Sequence, residues 1–231
     1  KIYHIDKMSS EQMEEKIMAL SQLDAQKERV VNALIKEMVS LNMVAFERQL
    51  DLYIGQKGIE KAINEIIFPY LERVGILWVT NHINPAQEHL ATNIVRQKII
   101  LGIERLTPLL TYTKRIVLFL PEGEYHELGL LYVHFLLKQK GIYVDYLGTN
   151  VPMVDLKYLT ENKKVDFLYC HITMPARNFK LDKFFANLAT INQQIPIILS
   201  GQLIQEYKGK ISPNMQLKRS LSETIAFLQD I

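Results

Sequence analysis

The 231-residue chain is short of several things. It has one cysteine, Cys170, so no disulfide framework can form within it, and a reducing cytoplasm is expected. No apolar run approaches the ~18 residues of a membrane helix, so neither a transmembrane segment nor a membrane partner is expected. Residues Lys1–Asp6 hold no apolar stretch, and no secretory leader is expected there. Charge of one sign is also lacking: 27 basic against 25 acidic side chains leave a net charge of +2, with the two signs interleaved. Surfaces that grip nucleic acid usually carry a basic excess, so these residues are not themselves expected to touch DNA or RNA. A chain that opens on Lys rather than Met is expected to be a piece whose upstream part is missing. What is present, 48% hydrophobic and 23% charged residues, is the balance of an ordinary globular protein.

Two halves follow from the periodicity. From about Met8 to Leu106 the pattern is helical. Ser9–Ser10 with Glu11 to Glu15 predicts a capped start to a helix ending near Leu20. Val30, Val31, Leu34, Met38 and Leu41 mark a second helix over Ser21 to Asn42. Phe46, Leu50 and Tyr53 continue until Gly55 and Gly58 interrupt. Ile59 to Trp78 is a further helix, which Pro69 should bend. Asn84 as N-cap, Pro85 at the first helical position and Gln87 beyond it predict a helix running to about Leu106. Four or five helices with short connections imply a bundle.

After Lys114 the period changes. Short β-rich runs at Arg115–Leu120, Ile142–Leu147, Val165–Cys170 and Ile195–Leu199 alternate with helical stretches, and a weak fifth lies at Met215–Leu217. The helices are expected at Glu124 to Lys140, Met153 to Lys163, Leu181 to Gln193 and Leu221 to Asp230. Strands buried on both faces and alternating with helices predict a flavodoxin-like (Rossmann-like), doubly wound parallel sheet of five strands. The expected fold class is thus α + α/β, with a helical domain over residues 1–110 and a sheet domain over 111–231; residues 1–8 read as a linker.

In open parallel sheets, ligands bind beyond the C-terminal ends of the strands, near the point where strand order reverses. The loop after the first strand reads Pro121-Glu122-Gly123-Glu124-Tyr125-His126-Glu127-Leu128-Gly129. Glu124 is placed to accept an imidazole N–H from His126 and so select the ring nitrogen that faces outward, a usual arrangement around a metal-bound histidine. Gly129 opens the next helix, where a missing side chain lets something bulky approach. No G-x-G-x-x-G is present, which argues against a dinucleotide site.

Glu124-x-His126-x-x-Gly129 resembles the D/E-x-H-x-x-G signature of cobalamin-binding domains, in which the histidine is the lower axial ligand of cobalt. That family continues with an S-x-L or S-x-T element and then a G-G element. Here His171-Ile172-Thr173 stands in the first place, with 41 residues between Gly129 and His171, and Ser200-Gly201 stands in the second. Two positions depart from the pattern. The family's serine lies beside the nucleotide tail and supports the buried dimethylbenzimidazole; here it is His171. Ser200 adds a side chain where the family has glycine. The departures point either to a pocket adjusted to a different tail or to weakened or lost cobalamin binding.

The helical half carries a second resemblance. Trp78, nine residues, then Glu88-His89 is similar to the W-x9-E-H motif of light-responsive MerR-type repressors of the CarH/LitR group. That resemblance implies a bundle over the upper face of adenosylcobalamin, Trp78 and Glu88 near the adenosyl group, and His89 able to take the upper axial position after light removes it. A helix N-terminus disfavours an imidazolium, which suits His89 to coordinate metal as a neutral ring. Corrinoid methyl-carrier proteins share the bundle-plus-sheet order but normally lack the Glu-His pair. The resemblance implies a regulator, not an enzyme. Its partners would be further copies of itself, and it would reach DNA only through an absent N-terminal winged-helix domain. The alternatives are a methyl carrier, or a regulator that has lost the cofactor.

Plainer readings exist for several of these residues. Trp78 alone reads as core, and His89 alone as a surface histidine. His82 reads as a solvated loop residue, while His4 and His134 read as ordinary. Cys170 and His171 point to opposite faces of one strand, so they form no nucleophile–base pair, and Cys170 reads as a small buried hydrophobe.

Overall fold

The computed structural model describes residues 10–107 and 114–231. His4, Ser9 of the expected capped start and the 1–8 linker expectation lie outside these residues. Two compact units emerge, Lys1–Lys98 and Ile99–Ile231, with the border inside one long helix.

The first unit is helical. One helix, α1 (Ser10–Val39), replaces the two expected across Ser21. No Gly or Pro lies near that serine, and a lone Ser in a helix costs only ~0.5 kcal/mol, too little to end one. Leu41 adopts φ 56° and is exposed rather than in the core. Asn42 then caps α2 (Met43–Lys57), accepting from the Ala45 N–H at 3.3 Å. Gly58, at φ +83°, ends that helix. A short α3 (Ile59–Ala62), a π-helical turn (Ile63–Ile67) and α4 (Phe68–Val79) follow without a break. The irregular turn immediately precedes Pro69, which has no N–H to give and whose ring crowds the carbonyl four residues back.

Helix α5 (Pro85–Arg105) starts as predicted. The Asn84 side chain accepts from Ala86 N–H at 2.9 Å, and Gln87 Oε1 accepts from Asn84 N–H at 2.7 Å, a reciprocal cap. The core of this unit is Val31, Leu34, Met38, Phe46, Leu50, Ile63, Ile66, Ile67, Tyr70 and Val95. Burying such side chains stabilises by ~1.5–3 kcal/mol each. Phe46 meets Tyr70 edge-on at 5.5 Å, and the Tyr70 hydroxyl donates to Met38 Sδ at 2.9 Å.

The second unit holds five parallel strands: β1 (Arg115–Pro121), β2 (Tyr143–Val151), β3 (Phe167–His171), β4 (Ile197–Ser200) and β5 (Met215–Leu217). Their order, β2-β1-β3-β4-β5, is the expected flavodoxin-like one. Helices α6 (Leu128–Gln139), α7 (Met153–Asn162), α8 (Leu181–Ala189), the short α9 (Gln202–Gln205) and α10 (Leu221–Asp230) alternate with them. One face of the sheet packs Cys170, Ile172, Leu199 and Val117 against α7 and α8. The other packs Tyr169, Ile198 and Leu118 against Leu130 and Val133 of α6 and Leu228 of α10. Order reverses between β1 and β3, so the loops leaving those two strands flank the crevice where ligands bind in this topology. Among the described residues, no helix is long and apolar enough to cross a membrane.

Candidate functional site

Strand β1 ends on Pro121, and the chain does not enter a helix at Glu124 as expected; α6 begins four residues later, at Leu128. The intervening loop is held from three sides. Gly123, at φ +83°, donates its N–H to Asn150 Oδ1 at 2.9 Å. Asn150 N–H donates to the Glu124 carbonyl at 3.1 Å, and Ala176 N–H to the Gly123 carbonyl at 3.1 Å. A Cβ on Gly123 would lie 3.2 Å from that of Ala176. The loops after β1, β2 and β3 therefore fasten one another.

Glu124 is the centre of this fastening, with no exposed surface at all. Its Oε1 accepts from the N–H groups of Tyr125 and His126, each at 2.9 Å, and pairs with His126 Nδ1 at 2.6 Å. Its Oε2 accepts from the N–H groups of Thr173 at 2.8 Å and Met174 at 2.7 Å, beyond the end of β3. Burial pushes the carboxyl pKa up, but the hydrogen bonds from the His126 ring, the His126 backbone and Thr173 outweigh it and hold the group below the usual carboxylate range. An ionised Glu124 accepts at Nδ1, which fixes the His126 ring with Nε2 on its far side. The side chain of His126 is 51% exposed.

This is a ready-made arrangement for presenting one imidazole nitrogen to a metal. Among the described residues, no group of three or more His, Cys, Asp or Glu could hold a bare metal ion. The one imidazole nitrogen that the Glu124–His126 pair presents fits a metal that needs a single protein ligand.

Gly129, His171 and Ser200 are also brought together, on the face of the sheet that carries Tyr169. His171 Nδ1 lies 2.8 Å from Ser200 Oγ, which lies 2.6 Å from the Tyr169 hydroxyl. Tyr169 also hydrogen-bonds Thr224 of α10, and burial pushes its pKa up to about 12. Burial holds His171 neutral, its pKa lowered to about 4. The bulky group that comes to Gly129 is the His171 ring itself: a Cβ on the glycine would sit 2.4 Å from its Nε2. Gly201, at φ +101°, has a different reason to be glycine, since its Cβ would fall 2.3 Å from the Ile172 carbonyl oxygen. Tyr169 and Thr224 were invisible as site residues in sequence, because each reads as an ordinary apolar-face position until the strands are paired.

In the helical unit, Trp78 stands in the last turn of α4 and is 47% exposed, not core. A turn then leads to Glu88 and His89 in the first turns of α5. The two side chains meet at their tips, His89 Nδ1 and Glu88 Oε2 being 2.9 Å apart. Glu88 also accepts from Thr92 Oγ1 at 2.7 Å. Beside burial, its charge helps raise the pKa of the Tyr70 hydroxyl. His82 pairs with Thr80 Oγ1 at 2.8 Å. His134 stacks on Tyr146 at 5.3 Å, and burial lowers its pKa to about 4. Cys170 is fully buried, its thiol pKa raised first by that burial and then by Glu124.

Residues 28–101 match the family model described as "B12 binding domain". Over 136 residues the chain is 31% identical to the HTH-type transcriptional repressor CarH of Myxococcus xanthus, a match covering 59% of this chain and 44% of that protein. Over 174 residues it is 24% identical to the HTH-type transcriptional repressor CarA of the same organism, covering 75% and 58% respectively. The chain thus spans about half the length of these curated relatives. Among solved structures, the monomethylamine corrinoid protein of Methanosarcina barkeri superposes with a TM-score of 0.65 at 13% identity, covering 88% of this chain and 99% of that one. That likeness is one of fold. The resemblance drawn from the motifs, to the cobalamin-binding region of MerR-type repressors, is borne out by the family match and the two repressors.

Proposed function

We propose that this chain is the cobalamin-binding effector region of a MerR-type transcriptional regulator, and that it works in the cytoplasm without catalysing a reaction. The observation that carries the reading is the Glu124–His126 pair, a buried carboxylate holding an imidazole at the C-terminal edge of a parallel sheet. The matches to a B12 binding domain and to two repressors support it. His126 would hold the cobalt, and Glu124 positions its ring. Thr173 supports the site through its N–H on Glu124. In the helical unit, Trp78, Glu88 and His89 would sense the state of the cofactor, with His89 the residue there able to coordinate a metal. When bound, adenosylcobalamin supplies a cobalt–carbon bond that light can break.

The consequence for regulation is a change in self-association, and through it in DNA binding by an N-terminal winged-helix domain. The Glu88–His89 pair favours this reading over a methyl-carrier role, because carriers normally lack it.

The test is an absorption spectrum, taken in the dark after mixing the protein with adenosylcobalamin and removing unbound cofactor. Retained colour that disappears in His126→Ala is the expected result. Illumination of the same sample should then change both the spectrum and the elution volume on size exclusion. A colourless wild-type protein overturns the cofactor assignment, and identical elution before and after light overturns the proposed signal.

A further inference from the structure

The space beneath Gly129 belongs to the protein itself. All three of the nearest atoms to a Cβ placed there are on the His171 ring, at 2.4, 2.8 and 2.9 Å. The ring is not loosely parked. Ser200 Oγ holds its Nδ1, the buried Tyr169 hydroxyl holds Ser200, and Thr224 of α10 in turn bonds Tyr169. Ser200 is 2% exposed and Tyr169 1%. This row runs from α10 across β3 and β4 to α6. It fills the same face of the sheet on which the cobalamin-binding pattern calls for a small serine beside a nucleotide tail. The axial position at His126 fits the cofactor; the slot for its lower nucleotide does not.

We propose that the sheet unit binds a corrinoid whose lower nucleotide stays outside the protein or is absent, and that His171 is the residue that sets this preference. The inference rests on the corrinoid reading of the His126 site and narrows its ligand class. Admitting a nucleotide would require the His171–Ser200 hydrogen bond to break and the ring to leave the space over Gly129. The buried Ser200 hydroxyl would then keep Tyr169 alone as its partner. A corrinoid without the nucleotide asks for none of this, and His126 would hold its metal.

The experiment compares adenosylcobinamide, which lacks the nucleotide, with adenosylcobalamin, by visible titration in the dark. The wild-type protein should bind cobinamide at least as tightly as cobalamin. His171→Ala opens the space over Gly129, and the ratio of the two affinities should move toward cobalamin by on the order of tenfold or more. His171→Ser, which keeps a hydroxyl beside Ser200, is the second variant in case the alanine protein does not fold; circular dichroism checks both.

Tighter binding of cobalamin than cobinamide by the wild type overturns the inference and leaves the His126 assignment standing. So does a ratio that neither folded variant shifts. Retention of neither compound overturns the corrinoid reading itself, and the inference with it.

Discussion

Replacing Glu124 with Gln tests whether the buried carboxylate is what builds the site. The side chain accepts five hydrogen bonds: three on Oε1, from Tyr125, His126 N–H and His126 Nδ1, and two on Oε2, from Thr173 and Met174. An amide has one oxygen to offer. In its better orientation it keeps the first three and turns its NH2 toward the Thr173 and Met174 N–H groups, leaving two donors without an acceptor at ~1–3 kcal/mol each. The three that remain lose their charge assistance, which roughly halves their strength. A neutral side chain is cheaper to bury than a carboxylate, which offsets part of the loss. The net destabilisation should be ~3–5 kcal/mol. With a urea m-value of ~2 kcal/mol/M, the midpoint falls by ~2 M. The sole tryptophan, Trp78, lies in the helical unit, so its fluorescence does not report on the sheet. Amide signals of β1 and β3 followed through a urea series do. A shift worth less than ~0.5 kcal/mol, within the range of ordinary surface substitutions, would show that the five bonds contribute little and that the loops are held by something else.

Three further outcomes are expected. His171 and His134 have pKa values lowered by burial from 6.5 to about 4, so between those values the unfolded chain binds more protons. Their contribution is present in full above about pH 6.5 and is lost as pH falls toward 4, by up to ~1.4 kcal/mol per pH unit for each; urea midpoints that do not move between pH 7 and pH 5 would contradict this. Gly129→Ala should destabilise by ~1–3 kcal/mol through its clash with the His171 ring, yet stabilise by up to ~1 kcal/mol in a His171→Ala background, where only helix propensity remains; equal effects in both backgrounds would mean the two residues are uncoupled. Asn84→Ala removes one half of the reciprocal cap of α5 and should lower the thermal stability of the helical unit by ~1 kcal/mol, a loss that calorimetry can measure.

Much of the architecture was legible because it depends on neighbours in sequence. The apolar runs that became β1 to β5 and the Asn84–Pro85–Gln87 helix start announce themselves over a few residues. So did Glu124 beside His126, two residues apart. The longer-range half of the site was not legible. Glu124 reaches Thr173 and Met174, 49 and 50 residues away, and only the parallel pairing of β1 with β3 brings them into range. The glycine at 129 advertised an approach but not its source, which turned out to be a side chain of the same chain. The start of α6 was read too early because Glu124 and Glu127 are good helix formers, whereas five hydrogen bonds to the Glu124 side chain hold that segment as a loop. The π-helical turn before Pro69 could be anticipated only as a disturbance, not as a particular geometry.

Gly201 bears on how such chains would change over generations. Its left-handed backbone and the carbonyl of Ile172 against its α-carbon demand glycine whatever is bound or not bound nearby. A descendant that gave up its ligand would still be selected to keep Gly201, because the turn from β4 into α9 could not close without it. His126 is different again: its ring is half in solvent, yet it pairs with the buried Glu124 carboxylate, so it serves the loop as well as any ligand. In a set of related sequences, a retained glycine at this corner is therefore a mark of ancestry and not of continued use.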